Sequence, residues 1–245
     1  MPKKEQAHFA CVKLFPITLM CIFFVSCKKY DHTWMIIGDS ITSSDGKEFE
    51  TGPQKGESII GYQTIINSKN KNSIKLTNEG YSGFSLAGHE RSVYQEVKDN
   101  NFSNHEVITI FVGTNDFKLN KPIISKDSLE SFRYCYTSLI NRIQSQNKKA
   151  RLYLITPLKR NNDGYTTTST NKAGHKLLDY RNEVVRIGLE KDLKVIDLYN
   201  ESGIDESNLQ KFTVDGLHLN NKGYELIGNV LNEQIKFPVK DKGSH

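Results

Sequence analysis

The sequence predicts a single α/β domain, in which a five-stranded parallel sheet lies between two layers of helices. Two observations predict this class. Short apolar segments typical of β-strands alternate regularly with longer segments that have helical spacing of apolar residues. Several of the short segments are also apolar almost throughout, as expected for strands buried on both faces. The length of 245 residues suits one such domain better than two.

Five segments are predicted to form the strands of this sheet. The third, Val107–Val112, has a nearly continuous apolar run, so we expect it to be buried on both faces. The strands, in chain order, are predicted at Thr33–Ile37, Ile74–Thr77, Val107–Val112, Leu152–Thr156 and Lys194–Leu198.

Five helices are predicted between and after the strands. In the third, the apolar residues recur at helical spacing, and packing against a core is enough to explain that stripe. Strict alternation of strands and helices predicts parallel strands joined by crossover helices. The helices are predicted at Ser58–Ser68, Ala87–Lys98, Ser128–Gln146, Ala173–Lys191 and Asn221–Gln234.

The N-terminus has the pattern of a bacterial lipoprotein leader. Positive charges precede an apolar run at 14–25, which is too short to cross a membrane as a helix. The run ends in Ser26-Cys27, which resembles a lipobox. We therefore expect a signal peptide at 1–26, lipidation of Cys27 and a tether at 27–32. An ordinary signal peptide or an uncleaved anchor are the alternatives.

This leader implies export and a lipid anchor in the bacterial cell envelope, with the outer membrane as the expected site. Periplasmic and surface display both stay open. The folded domain is then expected at 33–237, followed by a polar tail at 238–245.

Charge and cysteine content exclude several kinds of function. Loss of the leader, which carries three lysines and Glu5, lowers the formal net charge from +5 to +3. No basic stripe with aromatic residues is present, so nucleic acid is not an expected partner. Cys135 is the only cysteine beyond Cys27, and no Cys/His cluster suggests a metal site. We expect Cys135 to be a buried small apolar residue.

Four short motifs follow predicted strands and carry the chemistry. They are Gly38-Asp39-Ser40, Asn78-Glu79-Gly80, Gly113-Thr114-Asn115-Asp116 and Asp215-Gly216-Leu217-His218. Ligands of open α/β sheets bind at the carboxyl ends of the strands. Because all four motifs fall at that edge, we expect them to form one site.

The residue types in these motifs are those of a serine hydrolase. Ser40 is the candidate nucleophile, and a serine hydroxyl needs a base within hydrogen-bonding distance. His218 is the candidate base, since its ordinary pKa lies near neutral pH. Asp215, three residues earlier, is expected to orient the imidazole and to stabilise its protonated form.

The tetrahedral intermediate of ester hydrolysis also needs hydrogen-bond donors for its oxyanion. We expect them to be the backbone N–H groups of Ser40 and Gly80 and the side-chain amide of Asn115. Asp39, Gly113 and Asp116 are expected to support these residues. For Asp39, a plain turn or capping role is the alternative.

A second serine could compete for the role of nucleophile. Gly83-Phe84-Ser85-Leu86-Ala87 is close to the G-x-S-x-G elbow of α/β-hydrolases. Its last residue is alanine, however, and Asp215 lies closer to His218 than that fold normally allows. We therefore expect Ser82 and Ser85 to shape the loop that presents Gly80.

Together, the four motifs resemble the sequence blocks of the SGNH hydrolases, the GDSL esterase/lipase superfamily. The second block includes Ser82-Gly83 as well, and the blocks span residues 38–218. The resemblance implies a flavodoxin-like three-layer fold with sheet order 2-1-3-4-5. It also implies hydrolysis through an acyl-enzyme by a Ser-His-Asp triad, with no metal and no cofactor.

The substrate is less well determined than the reaction. The segments Ser43–Glu57 and Leu158–Lys172 border the predicted site and are rich in hydroxyl, amide and charged side chains. Such groups suit a hydroxylated alcohol, whereas a lipid chain needs an apolar trough. We expect an O-acetyl esterase acting on an acylated glycan or another small ester. A lysophospholipase or thioesterase, and a non-catalytic glycan-binding lipoprotein, are the alternatives.

Overall fold

The computed structural model describes residues 30–239, which contain seven strands. Five of them are long enough to form a central sheet, and two short ones form a separate hairpin. In chain order the strands are β1 His32–Gly38, β2 Ile74–Gly80, β3 Val107–Phe111, β4 Arg151–Ile155, β5 Asn161–Asn162, β6 Tyr165–Thr166 and β7 Lys194–Ile196.

The described part of the chain also contains nine helices, of which five are only four or five residues in length. They are α1 Ser40–Ser43, α2 Tyr62–Lys69, α3 Val93–Val97, α4 Thr114–Lys118, α5 Phe132–Gln146, α6 Leu177–Lys191, α7 Leu198–Glu201, α8 Leu209–Phe212 and α9 Asn221–Gln234.

The central sheet is parallel throughout and has the order β2-β1-β3-β4-β7. Because the short hairpin takes the labels β5 and β6, β7 is the fifth strand of this sheet. The predicted order 2-1-3-4-5 and the flavodoxin-like fold class are therefore confirmed. The order reverses at β1, so β1 and β3 end side by side at the switch point where such sheets bind ligands.

Each face of the sheet carries its own apolar core. Successive residues of a strand point to opposite faces, so Met35 and Ile37 join one core while Trp34 and Ile36 join the other. Helices α3, α5 and α6 cover the first face, and α2 and α9 cover the second. The result is the predicted three-layer architecture.

The predicted helix boundaries were wrong at several N-termini. The helix predicted at Ala87–Lys98 is reduced to α3, because Ala87 donates its N–H to Asp116 and Arg91 has a left-handed φ of 48°. Both features belong to a loop. Helix α3 begins only after Ser92, whose hydroxyl accepts the N–H of Gln95.

The helices predicted from Ser58, Ser128 and Ala173 begin four residues later than expected, at α2, α5 and α6. In the case of α5, the hydroxyl of Ser131 accepts the N–H of Tyr134 and so caps the helix. Polar residues ahead of each helix were read as its first turn.

The predicted leader, lipidated Cys27 and most of the predicted tail lie outside the described residues. Within residues 30–239, none of the helices is long and apolar enough to cross a membrane.

Candidate active site

The first part of the site lies where β1 ends. Gly38 is the last residue of β1 and pairs with Gly80 and Phe111 on the two neighbouring strands. A Cβ on Gly38 would lie 2.1 Å from Oγ1 of Thr42, so this position requires glycine. Ser40 begins α1, and the N–H of a first helical residue has no partner within its helix. Its hydroxyl is therefore presented at the sheet edge beside an available backbone donor.

Asp39 stabilises the turn between β1 and α1. Its Oδ1 accepts the N–H of Ile41 at 3.0 Å, which caps α1. Burial raises the pKa of the Asp39 carboxyl to about 6, although this hydrogen bond and the nearby charge of His218 act in the opposite direction. The side chain contacts the backbone that carries Ser40, as expected of a supporting residue.

His218 and Asp215 complete a hydrogen-bonded chain that starts at Ser40. Nε2 of His218 lies 3.0 Å from Oγ of Ser40, and Nδ1 of His218 lies 2.7 Å from Oδ2 of Asp215. The structure thus brings together the three predicted catalytic residues in the predicted order.

The protonation states of this chain follow from its electrostatics. Burial alone would raise the pKa of Asp215, but hydrogen bonds from the side chain and backbone of His218 outweigh it and lower the pKa to about 2. An ionised carboxylate only accepts, so Nδ1 of His218 carries the proton and Nε2 is left to accept from Ser40. The hydrogen bond to Asp215 also raises the pKa of His218, which favours uptake of the serine proton.

The loop that carries these two residues is held by its own hydrogen bonds. Oδ1 of Asp215 accepts the N–H groups of Leu217 and His218 at 3.0 and 2.7 Å. Gly216 has a φ of +86°, and a Cβ there would lie 1.9 Å from the carbonyl oxygen of Asn161. Glycine is therefore required at position 216 for the loop to pack against β5.

Asn115 lies in α4, directly after the end of β3. One of the two N–H groups of its side-chain amide donates to the carbonyl oxygen of Phe84 at 2.9 Å. The second N–H group remains available for a ligand. The residue before α4, Gly113, has a φ of +120°, which favours glycine at the turn. Asn115 is therefore placed as predicted, at the end of the strand next to β1.

Gly80 does not fit its predicted role as an oxyanion donor. Its N–H donates to Oδ1 of Asn78 at 3.0 Å and is engaged there. A Cβ on Gly80 would lie 2.5 Å from the backbone nitrogen of Ser43, so glycine is needed for packing against α1. The sequence correctly indicates a required glycine, but the structure gives it a different reason.

Gly83 has a backbone N–H that is available to a ligand, and the sequence interpretation gave this residue no such role. Its N–H donates to no atom of residues 30–239, and its φ is +75°. Gly83 and Asn115 line the same cavity, of about 530 Å³, while the preceding residue, Ser82, lines the cavity that contains Ser40 and His218. The second glycine of the block Asn78–Gly83 was the available signal.

Asp116 joins the two loops that carry these donors. Its two carboxyl oxygens accept the N–H groups of Leu86 and Ala87, both at 2.9 Å. Burial raises the pKa of Asp116 to about 7, although both hydrogen bonds act to lower it. The predicted supporting residue thus fixes the loop after β2 to α4.

The competing serine, Ser85, is buried and is not part of the hydrogen-bonded series Asp215–His218–Ser40. Its hydroxyl donates to the carbonyl oxygen of Ala87 at 2.7 Å, and no histidine among residues 30–239 forms a hydrogen bond with it. Ser85 shapes the loop, as expected. Cys135 is buried in α5, also as expected, and its thiol lies near the carbonyl oxygen of Leu129.

Sequence reasoning also missed Arg160, a fully buried arginine close to the site. Its guanidinium donates to Thr114, the residue before Asn115, and to Asn162. Its position in the sequence could have identified it, because Arg160 closely follows the end of β4, at the same sheet edge as the four motifs. The sequence analysis included it in the polar segment Leu158–Lys172 and gave it no individual role.

The two polar segments near the site have different places in the structure. Residues of the first segment, including Lys47, Glu48 and Phe49, line a cavity of about 320 Å³ together with Ser40 and His218. In the second segment, Arg160, Thr167 and Asn171 are instead buried. Both segments border the site as expected, because the second contacts the Asp215–His218 loop through Asn161 and Asn162. Within residues 30–239, no cluster of His, Cys, Asp and Glu could hold a metal ion.

Comparison with solved structures finds the same fold in several hydrolases. A possible lipase from Chitinophaga pinensis is 23% identical, with a TM-score of 0.65 over 83% of this chain and 97% of the other. An acetyl xylan esterase is 21% identical, with a TM-score of 0.60 over 83% and 100%. An aryl esterase from M. smegmatis is 13% identical, with a TM-score of 0.60 over 83% and 97%.

Sequence comparison assigns the family. No protein of curated function matches the chain. The model of the GDSL-like lipase/acylhydrolase family matches residues 36–226, a range that begins in β1, ends in α9 and contains every motif described above. The chain therefore belongs to the GDSL-like lipase/acylhydrolase family, within the SGNH hydrolases.

Proposed function

We propose that the protein is a serine esterase that hydrolyses carboxylic esters through an acyl-enzyme. The observation that carries this proposal is the chain of contacts from Asp215 to His218 at 2.7 Å and from His218 to Ser40 at 3.0 Å. It supplies a nucleophile, a base with the correct tautomer and an ionised carboxylate that stabilises the imidazolium.

In the first half of the reaction, Oγ of Ser40 attacks the ester carbonyl while Nε2 of His218 accepts the hydroxyl proton. The oxyanion then accepts hydrogen bonds from the N–H groups of Ser40 and Gly83 and from the side chain of Asn115. The alcohol leaves with the proton held by His218. Water repeats these steps on the acyl-enzyme and releases the acid.

We propose O-acetyl groups on carbohydrate as the substrate. Next to the cavity that holds Ser40 lies a second one of about 860 Å³, and the two share Val214 and Asp215 in their walls. The larger cavity is lined mainly by amide, hydroxyl and charged side chains, which suit the hydroxyls of a sugar. The structural similarity to an acetyl xylan esterase supports this choice.

A lysophospholipase or thioesterase is the second candidate. One observation favours it: Phe49, Ile59 and Leu219 give the cavity at Ser40 an apolar side that could accept an acyl chain. This cavity, of about 320 Å³, is also lined by polar side chains, including those of Glu48 and Thr51. We therefore rank this candidate below the acetyl esterase. A glycan-binding protein without catalysis ranks last, because the contacts from Asp215 to Ser40 are complete.

The test is hydrolysis of p-nitrophenyl acetate, butyrate and palmitate, of acetylated xylo-oligosaccharides and of a lysophospholipid by wild type and Ser40→Ala. We expect wild type to prefer acetate and to release acetate from the oligosaccharide, and Ser40→Ala to do neither. Preference for palmitate or lysophospholipid would promote the second candidate. Oligosaccharide binding without hydrolysis would favour the third.

We also propose that the protein is exported and lipid-anchored through Cys27. This proposal rests on the sequence of residues 1–27 alone. Labelled palmitate should be incorporated into the wild-type protein in bacterial cells and not into Cys27→Ala. Equal labelling of the two proteins would contradict the lipid anchor.

A further inference from the structure

We propose that Arg160 is a positioning residue that holds the Asn115 turn and the Asp215–His218 loop in register with each other. The inference rests on the proposed esterase function and adds a residue that lies outside the sequence motifs. It begins with an unusual observation, which is that a long charged side chain is fully buried beside the site.

The guanidinium contacts the oxyanion side of the site directly. Nη1 of Arg160 donates to the carbonyl oxygen of Thr114 at 3.3 Å and to its hydroxyl at 3.1 Å. Thr114 is the first residue of α4 and is bonded to Asn115 in the chain. Arg160 therefore fixes the turn from which the Asn115 side chain projects.

The same guanidinium reaches the triad loop through one intermediate residue. Nη2 of Arg160 lies 3.3 Å from both the carbonyl and the side-chain oxygen of Asn162. The side-chain nitrogen of Asn162 in turn donates to the carbonyl oxygen of Asp215 at 3.0 Å. Beside it, the N–H of Asn161 donates to the carbonyl oxygen of Gly216 at 2.8 Å. Three consecutive hydrogen-bonded contacts thus connect Thr114 with Asp215, through Arg160 and Asn162.

The backbone of Arg160 is fixed as well. Its N–H donates to Oγ1 of Thr167 at 3.1 Å, and its carbonyl oxygen accepts the N–H of Thr167 at 2.9 Å. The β5–β6 hairpin turns through Asp163 and Gly164, both with positive φ, and Asp163 forms an ion pair with Lys118 at the end of α4. The hairpin therefore contacts α4 on one side and the triad loop on the other.

Arg160 also contributes a charge to the site. No carboxylate in residues 30–239 forms an ion pair with it within 4.0 Å. Its positive charge opposes protonation of His218, against the larger effect of Asp215, which raises the pKa of His218. The charged and titratable groups that act on Arg160 or His218 are Asp39, Asp163, Tyr165 and Asp215.

Position and charge predict different results for different substitutions. Arg160→Met removes both, so we expect kcat to fall about 10²-fold with little change in KM, because a small misplacement costs about that much. The pKa of His218 should rise, and the acid limb of the pH profile of kcat/KM should move to higher pH. Arg160→Lys keeps the positive charge but lacks the planar guanidinium. The acid limb of its pH profile should therefore return to the wild-type pH, while its kcat should recover only in part.

The experiment combines kinetics with a titration that needs no turnover. Wild type, Arg160→Lys, Arg160→Met and Asn162→Ala are compared with p-nitrophenyl acetate across pH, and the His218 ring is titrated by NMR. Asn162→Ala breaks the connection without removing a charge, so it should lower kcat and leave the titration unchanged. Lys159→Met, at the neighbouring position, serves as the matched control and should behave as wild type.

Two results would overturn the proposal. One is a kcat within about twofold of wild type in both Arg160→Met and Asn162→Ala, since each removes the contacts that position the loop. The other is a loss of kcat in which the pKa of His218 is unchanged and Arg160→Lys has no higher kcat than Arg160→Met. That result would indicate a merely structural role. If Arg160→Met fails to fold, Arg160→Lys and Asn162→Ala decide between these results.

The titration also separates this proposal from the esterase function. An inactive wild type whose His218 pKa still rises in Arg160→Met would retain the positioning role and reject the esterase. An active wild type with unchanged kinetics and unchanged titration in the variants would reject the positioning role alone.

Discussion

Ser40 and Asn115 are positioned by strands, whereas Asp215 and His218 are positioned by a loop. The first pair follows β1 and β3, which are hydrogen-bonded neighbours, and both residues are buried. The side chains of Asp215 and His218 are 35% and 40% exposed, and the loop follows α8 rather than a strand. The positions of Ser40 and Asn115, one half of the site, are therefore set by the sheet.

The other half must be built from individual side-chain and backbone contacts. Oδ1 of Asp215 organises the turn, Gly216 allows the close approach of Asn161, and Asn162 holds the carbonyl oxygen of Asp215. The comparison teaches that the register of β1 with β3 brings the residues that carry Ser40 and Asn115 to the same sheet edge. The base reaches them through a small number of specific polar contacts, and substitutions at those contacts are the way to test the difference.

The largest effect should come from breaking the contact between the two halves. Ser40→Ala and His218→Ala should each lower kcat by about 10⁴–10⁶-fold, because neither residue acts without the other. The double variant should be no worse than either single one. Steady-state kinetics with p-nitrophenyl acetate measures this, and multiplication of the two losses would show that the residues act independently.

A smaller effect is expected within the strand-positioned half. Asn115→Ala removes one oxyanion donor and should lower kcat by about 10²–10³-fold, with KM little changed. Because β3 and α4 do not depend on this side chain for their register, thermal stability should change little. A rise in KM at constant kcat would instead assign Asn115 to substrate binding. Asn182→Ala, on the exposed side of α6, is the matched control.

The loop-positioned half should respond to a single methyl group. In Gly216→Ala the new Cβ would meet the carbonyl oxygen of Asn161, so the loop must shift and kcat should fall about 10²-fold. Gly174→Ala is the matched control, because Gly174 also has a positive φ, of 82°, but nothing lies within 4 Å of its Cβ position. Both variants share the backbone strain, so equal losses of kcat would contradict the packing argument.

The smallest effect concerns stability and its dependence on pH. The pKa of Asp116 is raised from 3.8 to about 7, so the folded state binds the proton more tightly than the unfolded state. The resulting stabilisation is complete below pH 3.8 and is lost as the pH rises through about 7. Asp116→Asn should cost about 1–3 kcal/mol at pH 5, where the carboxyl is mostly neutral.

This difference should shrink between pH 5 and pH 8, because wild type loses stability there and the Asn variant does not. Asp39 has a pKa raised in the same direction and is present in both proteins, and its charge contributes to the raised pKa of Asp116. Urea unfolding at the two pH values measures the difference. A gap that widens toward pH 8 would show that ionised Asp116 is the form that the fold prefers.

The same contrast explains what could be predicted from the sequence. The strand-positioned half depends on apolar runs followed by Gly-Asp-Ser or Gly-Thr-Asn, and both signals are local in the chain. The placing of Ser40 and Asn115 at strand ends followed directly from these signals, whereas the sheet order was what the resemblance to the SGNH hydrolases implied. Gly80 was assigned a ligand role because the requirement for glycine can be recognised in a sequence, while its cause, the approach of Ser43, cannot.

Arg160 and the late start of α3 escaped prediction for a related reason. Arg160 lies between Lys159 and Asn161 in a polar stretch, and only the folded chain buries it against Thr114. In the case of α3, the N–H of Ala87 is taken by Asp116, 29 residues further along. Helical periodicity reports local preference and contains no information about such distant partners.

The contact between Ser40 and His218 also has a consequence for biosynthesis. The two residues lie 178 positions apart, and Tyr224 of α9 donates to the carbonyl oxygen of Ile41, next to the nucleophile. A ribosome therefore completes nearly the whole domain before the serine can meet its base. Such long-range closure is slow compared with the formation of local helices. The contacts at Ser40 are thus complete only when α9 has docked, and regain of the proposed esterase activity during refolding would report completion of the fold.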